Sequence, residues 1–154
     1  MPLQIAASSR RRFAVAIYGI VSMAVVVVAW EPEGDAVDLA FLAAGYAVAI
    51  WLAHSFANVV SGGANASWRV ALRHETSVMA GAPAVVLISL LGALAGWSST
   101  TIEVLALCSL VGLLAAVQLV LLRSAPPERR RVGATLVLDL VTFLLIVLLL
   151  VAVH

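Results

Sequence analysis

Charged residues are scarce in this chain. Only 11% of its 154 residues are Asp, Glu, Lys or Arg, 64% are apolar, and the mean hydropathy is +1.13. Soluble domains carry about 25% charged and about 45–50% apolar residues. No polar stretch is long enough to form a separate domain. These deficits exclude a soluble enzyme, a nucleic-acid-binding protein and an intrinsically disordered chain, and they indicate a membrane protein.

Cysteine is rare in this chain, and lysine is absent. The single cysteine, Cys108, lies in an apolar run, which excludes an intrachain disulfide and a multi-cysteine metal site. Lysine is absent, so all nine basic side chains are arginines. The chain has no His-Glu-x-x-His metal motif and no Gly-x-Ser-x-Gly nucleophile segment. We therefore expect no catalytic residues, no metal and no cofactor.

Five long apolar runs are present, each about 20 residues, which is enough to cross a hydrocarbon core of roughly 30 Å as a helix. None alternates with period two, and helices satisfy all backbone hydrogen bonds in lipid. The sequence thus predicts an all-α fold, a single domain over residues 1–154 that forms a bundle of five transmembrane helices. The predicted spans are about 13–30, 39–60, 78–97, 102–122 and 133–153.

Arginine is confined to alternate connectors. Arg10, Arg11 and Arg12 precede the first run, Arg69 and Arg73 follow the second, and the remaining four follow the fourth. The charged residues of the connector after the first run are all acidic. Because positive residues stay on the cytoplasmic side, the N-terminus is predicted to be cytoplasmic and the C-terminus outside. The expected location is the bacterial cytoplasmic (inner) membrane.

A few polar residues fall inside the runs, where burial is costly and a functional role is the default hypothesis. Asp139 and His54 each lie about six residues, or roughly 9 Å, inside the predicted cytoplasmic end of their run. We expect an ion or proton pathway in which Asp139 binds the proton or cation and His54 is its partner or gate. Alternatively, both groups only hold helices together. Four further residues are expected to line this pathway: Tyr18, Asn58, Gln118 and Thr142.

Small residues recur at helical spacing in the second and third runs. They are Gly45, Ala49, Ala53 and Ala57, followed by Gly92 and Gly96. Such spacing lets helices approach closely, within the chain or in a homo-oligomer, although an alanine-rich composition also produces it without function. Pro83 is expected to kink the third run at the depth of His54.

The connector 61–77 combines a flexible start with Trp68, Arg69 and Arg73, which predicts a short helix lying on the inner membrane surface. In the triplet 73–75 (Arg-His-Glu), all three side chains are expected to be solvated.

Three stretches carry a resemblance to a known group of proteins. These are 51–57 (Trp-Leu-Ala-His-Ser-Phe-Ala), 72–75 (Leu-Arg-His-Glu) leading to Ala82 and Pro83, and the Leu-rich last run ending in His154. Together they resemble small multi-pass integral membrane proteins of high-GC bacteria. The resemblance implies the same span assignment and singles out His54, Glu75 and Pro83. It implies no activity.

Three functional hypotheses follow from these features. The first is a small oligomeric proton or cation channel or transporter that uses a polar site in the cytoplasmic half of the bundle. The second is a non-catalytic membrane accessory, assembly or structural protein. The third, an enzyme or redox carrier, is disfavoured because no catalytic set is recognisable. The expected partners are the lipid bilayer, further copies of the chain and a small cation or proton, and no nucleic acid.

Overall fold

The computed structural model describes residues 2–30, 34–62 and 67–123, and within them the side chains of residues 12–30, 34–62 and 67–120. In these ranges the chain is all-α and contains no strand. The elements are α1 (Pro2–Val28), α2 (Ala36–Ser61), α3 (Trp68–His74), a 3₁₀ turn (Thr76–Met79), α4 (Ala82–Ala95) and α5 (Ser99–Arg123). The fifth predicted span, 133–153, lies outside the described residues.

Two described helices are long and apolar enough to cross a membrane. They are α2 and the Ser99–Val120 part of α5. A third candidate is a bent pair, in which Trp68–Met79 meets α4 at an angle of 54°. In α1 the apolar part, Arg12–Val28, is shorter. By length and composition the described chain therefore contains two candidate spans, or three when the bent pair counts as one.

The core lies among α1, α2, α4 and α5. Its largest fully buried side chains include Ile20 of α1, Leu39 of α2, Val85 of α4 and Leu110 of α5. Trp30 is buried at the edge of this core, with 7% of its surface exposed. The apolar residues of four helices thus meet in one continuous cluster.

Helix α2 packs most extensively against α4. It buries one alanine stripe, Ala36, Ala40, Ala43 and Ala47. The stripe predicted from small-residue spacing points elsewhere: Gly45, Ala49, Ala53 and Ala57 are exposed among the described residues. A Cβ atom added to Gly45 would meet nothing within 4 Å. Within the described chain, helix packing therefore uses the other alanine face of α2.

The two glycines of the third run have different roles. Gly92 is buried, and a Cβ atom there would lie 2.5 Å from Cγ1 of Ile102, so this glycine allows α4 to approach α5. Gly96 ends α4 in the left-handed conformation with φ +66°, and its N–H bonds back to the last turn. The prediction that Gly96 is a packing position inside a helix is wrong, because its backbone terminates the helix.

Pro83 lies in the first turn of α4 and is exposed. Proline is tolerated there because the first N–H groups of a helix have no intrahelical acceptor. The third run was predicted to be one kinked helix, but it consists of two separate elements. The run is divided between the 3₁₀ turn and α4, and the bend lies at Ala80 and Gly81, just before Pro83.

Candidate functional site

The segment Trp68–Met79 folds back against α2. The indole Nε1 of Trp51 donates a hydrogen bond to the carbonyl oxygen of Leu72 at 2.9 Å, and the rings of Phe56 and Trp68 lie 6.2 Å apart. Trp51 precedes the end of α2 by about 15 Å at 1.5 Å per residue. The prediction of a short helix here is confirmed. Helix α3 lies alongside the last three turns of α2.

A glycine in α1 allows the 3₁₀ turn to enter the bundle. An ideal Cβ atom on Gly19 would lie 1.8 Å from the carbonyl oxygen of Val78 and 2.7 Å from its carbonyl carbon. Only a residue without a side chain can occupy this position at such a distance. Val78 itself is buried, with 2% of its surface exposed. The turn is thus wedged against α1 on one side and α2 on the other.

This wedge carries Glu75 into the interior. Glu75 ends α3, donates its backbone N–H to the carbonyl oxygen of Ala71 at 3.1 Å, and is only 2% exposed. Its Oε1 accepts a hydrogen bond from Nδ2 of Asn58, and its Oε2 lies 3.6 Å from Nδ1 of His54. The expectation of a solvated Glu75 is therefore wrong, whereas Arg73 and His74 are exposed as expected.

Tyr18 of α1 completes the cluster. Its ring centroid lies 5.4 Å from that of His54, with the planes tilted by 50°. Exposure rises outward through the group, from 3% for the Glu75 side chain to 34% for His54 and 52% for Tyr18. We call Tyr18, His54, Asn58 and Glu75 the carboxylate cluster. It has a buried acid at one end and a partly exposed ring pair at the other.

Two buried hydroxyl groups lie next to the cluster in the sequence. Ser55 follows His54 in α2 and is 0% exposed, and Ser77 lies in the 3₁₀ turn two residues after Glu75. Neither hydroxyl oxygen has a hydrogen-bond partner among the described residues. The two hydroxyls belong to elements that pack against each other, α2 and the 3₁₀ turn.

The structure thus brings together three of the predicted pathway residues, Tyr18, His54 and Asn58. Gln118 is buried on the face of α5 that carries Leu110 and Leu114, two turns beyond Leu110. Gln118 therefore belongs to the buried face of α5 that packs into the core.

The residues predicted to complete the pathway from the last span are outside the described residues. These are Asp139 and Thr142. The ionisable partner that the structure does give to His54 is Glu75, which the residue pattern had assigned to a surface connector. Two features of the sequence pointed to Glu75. It is the one acid in an otherwise basic connector, and it lies in a stretch that carries the resemblance to small multi-pass membrane proteins.

Within the described ranges, no group of three or more His, Cys, Asp or Glu side chains could hold a metal ion. The chain shows no significant match to any known protein family, curated protein or solved structure. Its function therefore has to be inferred from the carboxylate cluster and its surroundings.

Proposed function

We propose that this chain is a small multi-pass protein of the bacterial cytoplasmic membrane that moves protons or small cations through the carboxylate cluster. The single observation that carries the proposal is the burial of Glu75 beside His54 and Asn58. A charged side chain deep in a membrane helix costs about 2.5–3.5 kcal/mol on insertion scales, and such groups mark ion or proton pathways. A carboxylate retained at this cost supports a role in binding charge.

The broken geometry around Glu75 supports the same proposal. Irregular backbone at membrane depth is tolerated where it is buried in protein or lines a cavity, and broken helices form the ion sites of many transporters. Here the break separates the 3₁₀ turn from α4, and Glu75 immediately precedes that turn. Asn58 and His54 lie three and seven residues before the end of α2, so Glu75 lies about 5–10 Å inside that end.

The proposed topology has five spans, with the N-terminus in the cytoplasm and the C-terminus outside. The contact of Tyr18 with His54 puts the beginning of α1 and the end of α2 at the same end of the bundle. Arg12, Arg69 and Arg73 therefore gather at this end, and all three are exposed. A shared arginine-rich end is what a cytoplasmic face requires.

Reconstitution into liposomes tests the proposal. The full chain is inserted into vesicles that contain a pH-sensitive dye, and fluxes of protons, Na⁺ and K⁺ are measured under imposed gradients and membrane potentials. Glu75→Gln keeps the shape of the side chain and removes its charge, so we expect it to abolish the flux. Glu103→Gln is the matched control, because Glu103 is only half-buried near the start of α5. Asp139→Asn tests the predicted role of Asp139 in the same vesicles.

Two results would contradict the proposal. One is that folded wild-type protein moves none of these ions. The other is that Glu75→Gln and Glu103→Gln behave alike, since the buried carboxylate would then have no role in transport. Unfolded protein is recognised beforehand by its elution profile in detergent and by its melting transition.

A specific observation favours a second function, that of a non-catalytic accessory or structural membrane protein. The small-residue face of α2, with Gly45, Ala49, Ala53 and Ala57, is exposed among the described residues. Such a face suits close packing against another membrane helix, in a homo-oligomer or in a partner protein. Absence of flux, together with a stoichiometric partner after mild solubilisation, would favour this second function.

A further inference from the structure

We propose that the species bound at the carboxylate cluster is a proton, and that His54 delivers it to Glu75 from the exposed side of the cluster. This inference rests on the proposed function and narrows its substrate from protons or small cations to protons alone.

The atoms around the carboxylate favour a proton over a metal cation. Hard cations take oxygen ligands, about six or more for Ca²⁺ and Mg²⁺. The structure places two side-chain nitrogens against Glu75, Nδ2 of Asn58 and Nδ1 of His54. The Asn58 amide points its N–H donor at Oε1, and the positive end of this dipole repels a cation from that oxygen. A carboxylate flanked by N–H donors and an imidazole is equipped to exchange a proton.

The gradient of exposure gives the direction of delivery. Glu75 is buried with 3% of its side chain exposed, whereas His54 retains 34% and lies on the outer side of the acid. Tyr18 packs its ring beside that of His54. Nδ1 of His54 faces Glu75, which leaves Nε2 as the ring nitrogen on the opposite edge. Imidazole can take up a proton at one nitrogen and release another from the second.

The transfer balances without any redox partner. A proton from water binds Nε2 of a neutral His54 whose Nδ1 already carries a hydrogen, and an imidazolium results. The Nδ1–H bond then breaks as an O–H bond forms at Oε2 of Glu75, so the products are a neutral imidazole protonated at Nε2 and a neutral carboxylic acid. The present separation of 3.6 Å exceeds a direct hydrogen bond of about 3.2 Å. A small rotation of the imidazole closes this gap.

Tyr18 faces His54 from α1, and Glu75 faces it from the end of α3. Arg12 of α1 and Arg73 and His74 of α3 are exposed. His74 is directly adjacent to Glu75 in sequence, and it therefore provides a matched control for His54.

The test compares His54→Gln, His54→Ala and His74→Gln in proteoliposomes with a pH-sensitive dye inside and a potential set by K⁺ and valinomycin. We expect His54→Gln to lower the proton flux by about 10²-fold, the scale of a positioned proton-transfer group, and His74→Gln to leave it unchanged. Free imidazole in the buffer should restore flux to His54→Ala, because it supplies the missing proton carrier. A purely structural role for His54 would not respond to imidazole.

If the His54 variants fail to fold, chemical modification of His54 provides a second test. In the chain with His74→Gln and His154→Gln, His54 is the only histidine left. Acylation of that folded protein with diethylpyrocarbonate should then stop the proton flux. Flux of Na⁺ or K⁺ that depends on Glu75, without proton flux, would overturn this inference and leave the proposed function standing. Full proton flux after loss or acylation of His54 would also overturn it. Absence of any cation flux in the wild type would overturn the proposed function itself.

Discussion

The substitution Gly19→Ala tests the close approach of the 3₁₀ turn to α1. The added Cβ atom would lie 1.8 Å from the Val78 carbonyl oxygen, and an ordinary contact begins at 3.4 Å, so the two backbones must separate by 3.4 − 1.8 = 1.6 Å. No rotamer change relieves the clash, because the opposing atoms belong to the backbone. Overpacking typically costs about 1–3 kcal/mol, and we expect about 3 kcal/mol here even after the better helix propensity of alanine.

The measurement is the melting temperature of the purified protein in detergent. About 3 kcal/mol corresponds to a decrease of roughly 6–12 °C for a chain of this size. Gly45→Ala is the matched control, since it makes the same chemical change in α2 where a Cβ atom meets nothing within 4 Å. We expect that variant to melt at or slightly above the wild-type temperature. Equal melting temperatures for the two variants would refute the close approach of the 3₁₀ turn to α1.

Three further substitutions test other parts of the fold by the same melting assay. Gly96→Ala forces an alanine to φ +66° and should cost about 1–2 kcal/mol; an unchanged melting temperature would mean that α4 does not end there in the left-handed conformation. Gly92→Ala collides with the flexible side chain of Ile102, so it should cost about 1–3 kcal/mol, and Ile102→Ala should cost less in the Gly92→Ala chain than in the wild type. Trp51→Phe removes the indole donor to the Leu72 carbonyl and should cost about 1 kcal/mol, whereas full stability would show that this bond does not hold α3.

The helix positions followed from the sequence where an apolar run is long and uninterrupted. The predicted run 39–60 corresponds to Ala36–Ser61, and 102–122 corresponds to Ser99–Arg123. The run 78–97 was predicted as one kinked helix, because hydropathy does not distinguish residues in a 3₁₀ turn from residues in α4. The break depends on how closely α1 approaches, and this depends on the absence of a side chain at Gly19.

The carboxylate cluster was predictable only in part. His54, Asn58 and Tyr18 lie within apolar runs, so their polarity alone marked them. Glu75 lies in a connector with arginines, and such residues are solvated by default. Its burial results from a chain reversal after α2 that brings α3 back along that helix. Periodicity within a single run carries no information about the direction in which a short following segment folds.

The adjacency of Tyr18 and Gly19 has a mechanical consequence. Successive residues of a helix are rotated by about 100°, so turning α1 by one residue would put Tyr18 or Ile20 in place of the glycine against Val78. Sliding α1 would have the same effect and would also separate the Tyr18 ring from His54. Helix α1 is thus held in one register against the 3₁₀ turn. If Glu75 binds and releases protons as proposed, we expect α1 to stay in place while α2 and the segment that follows it move.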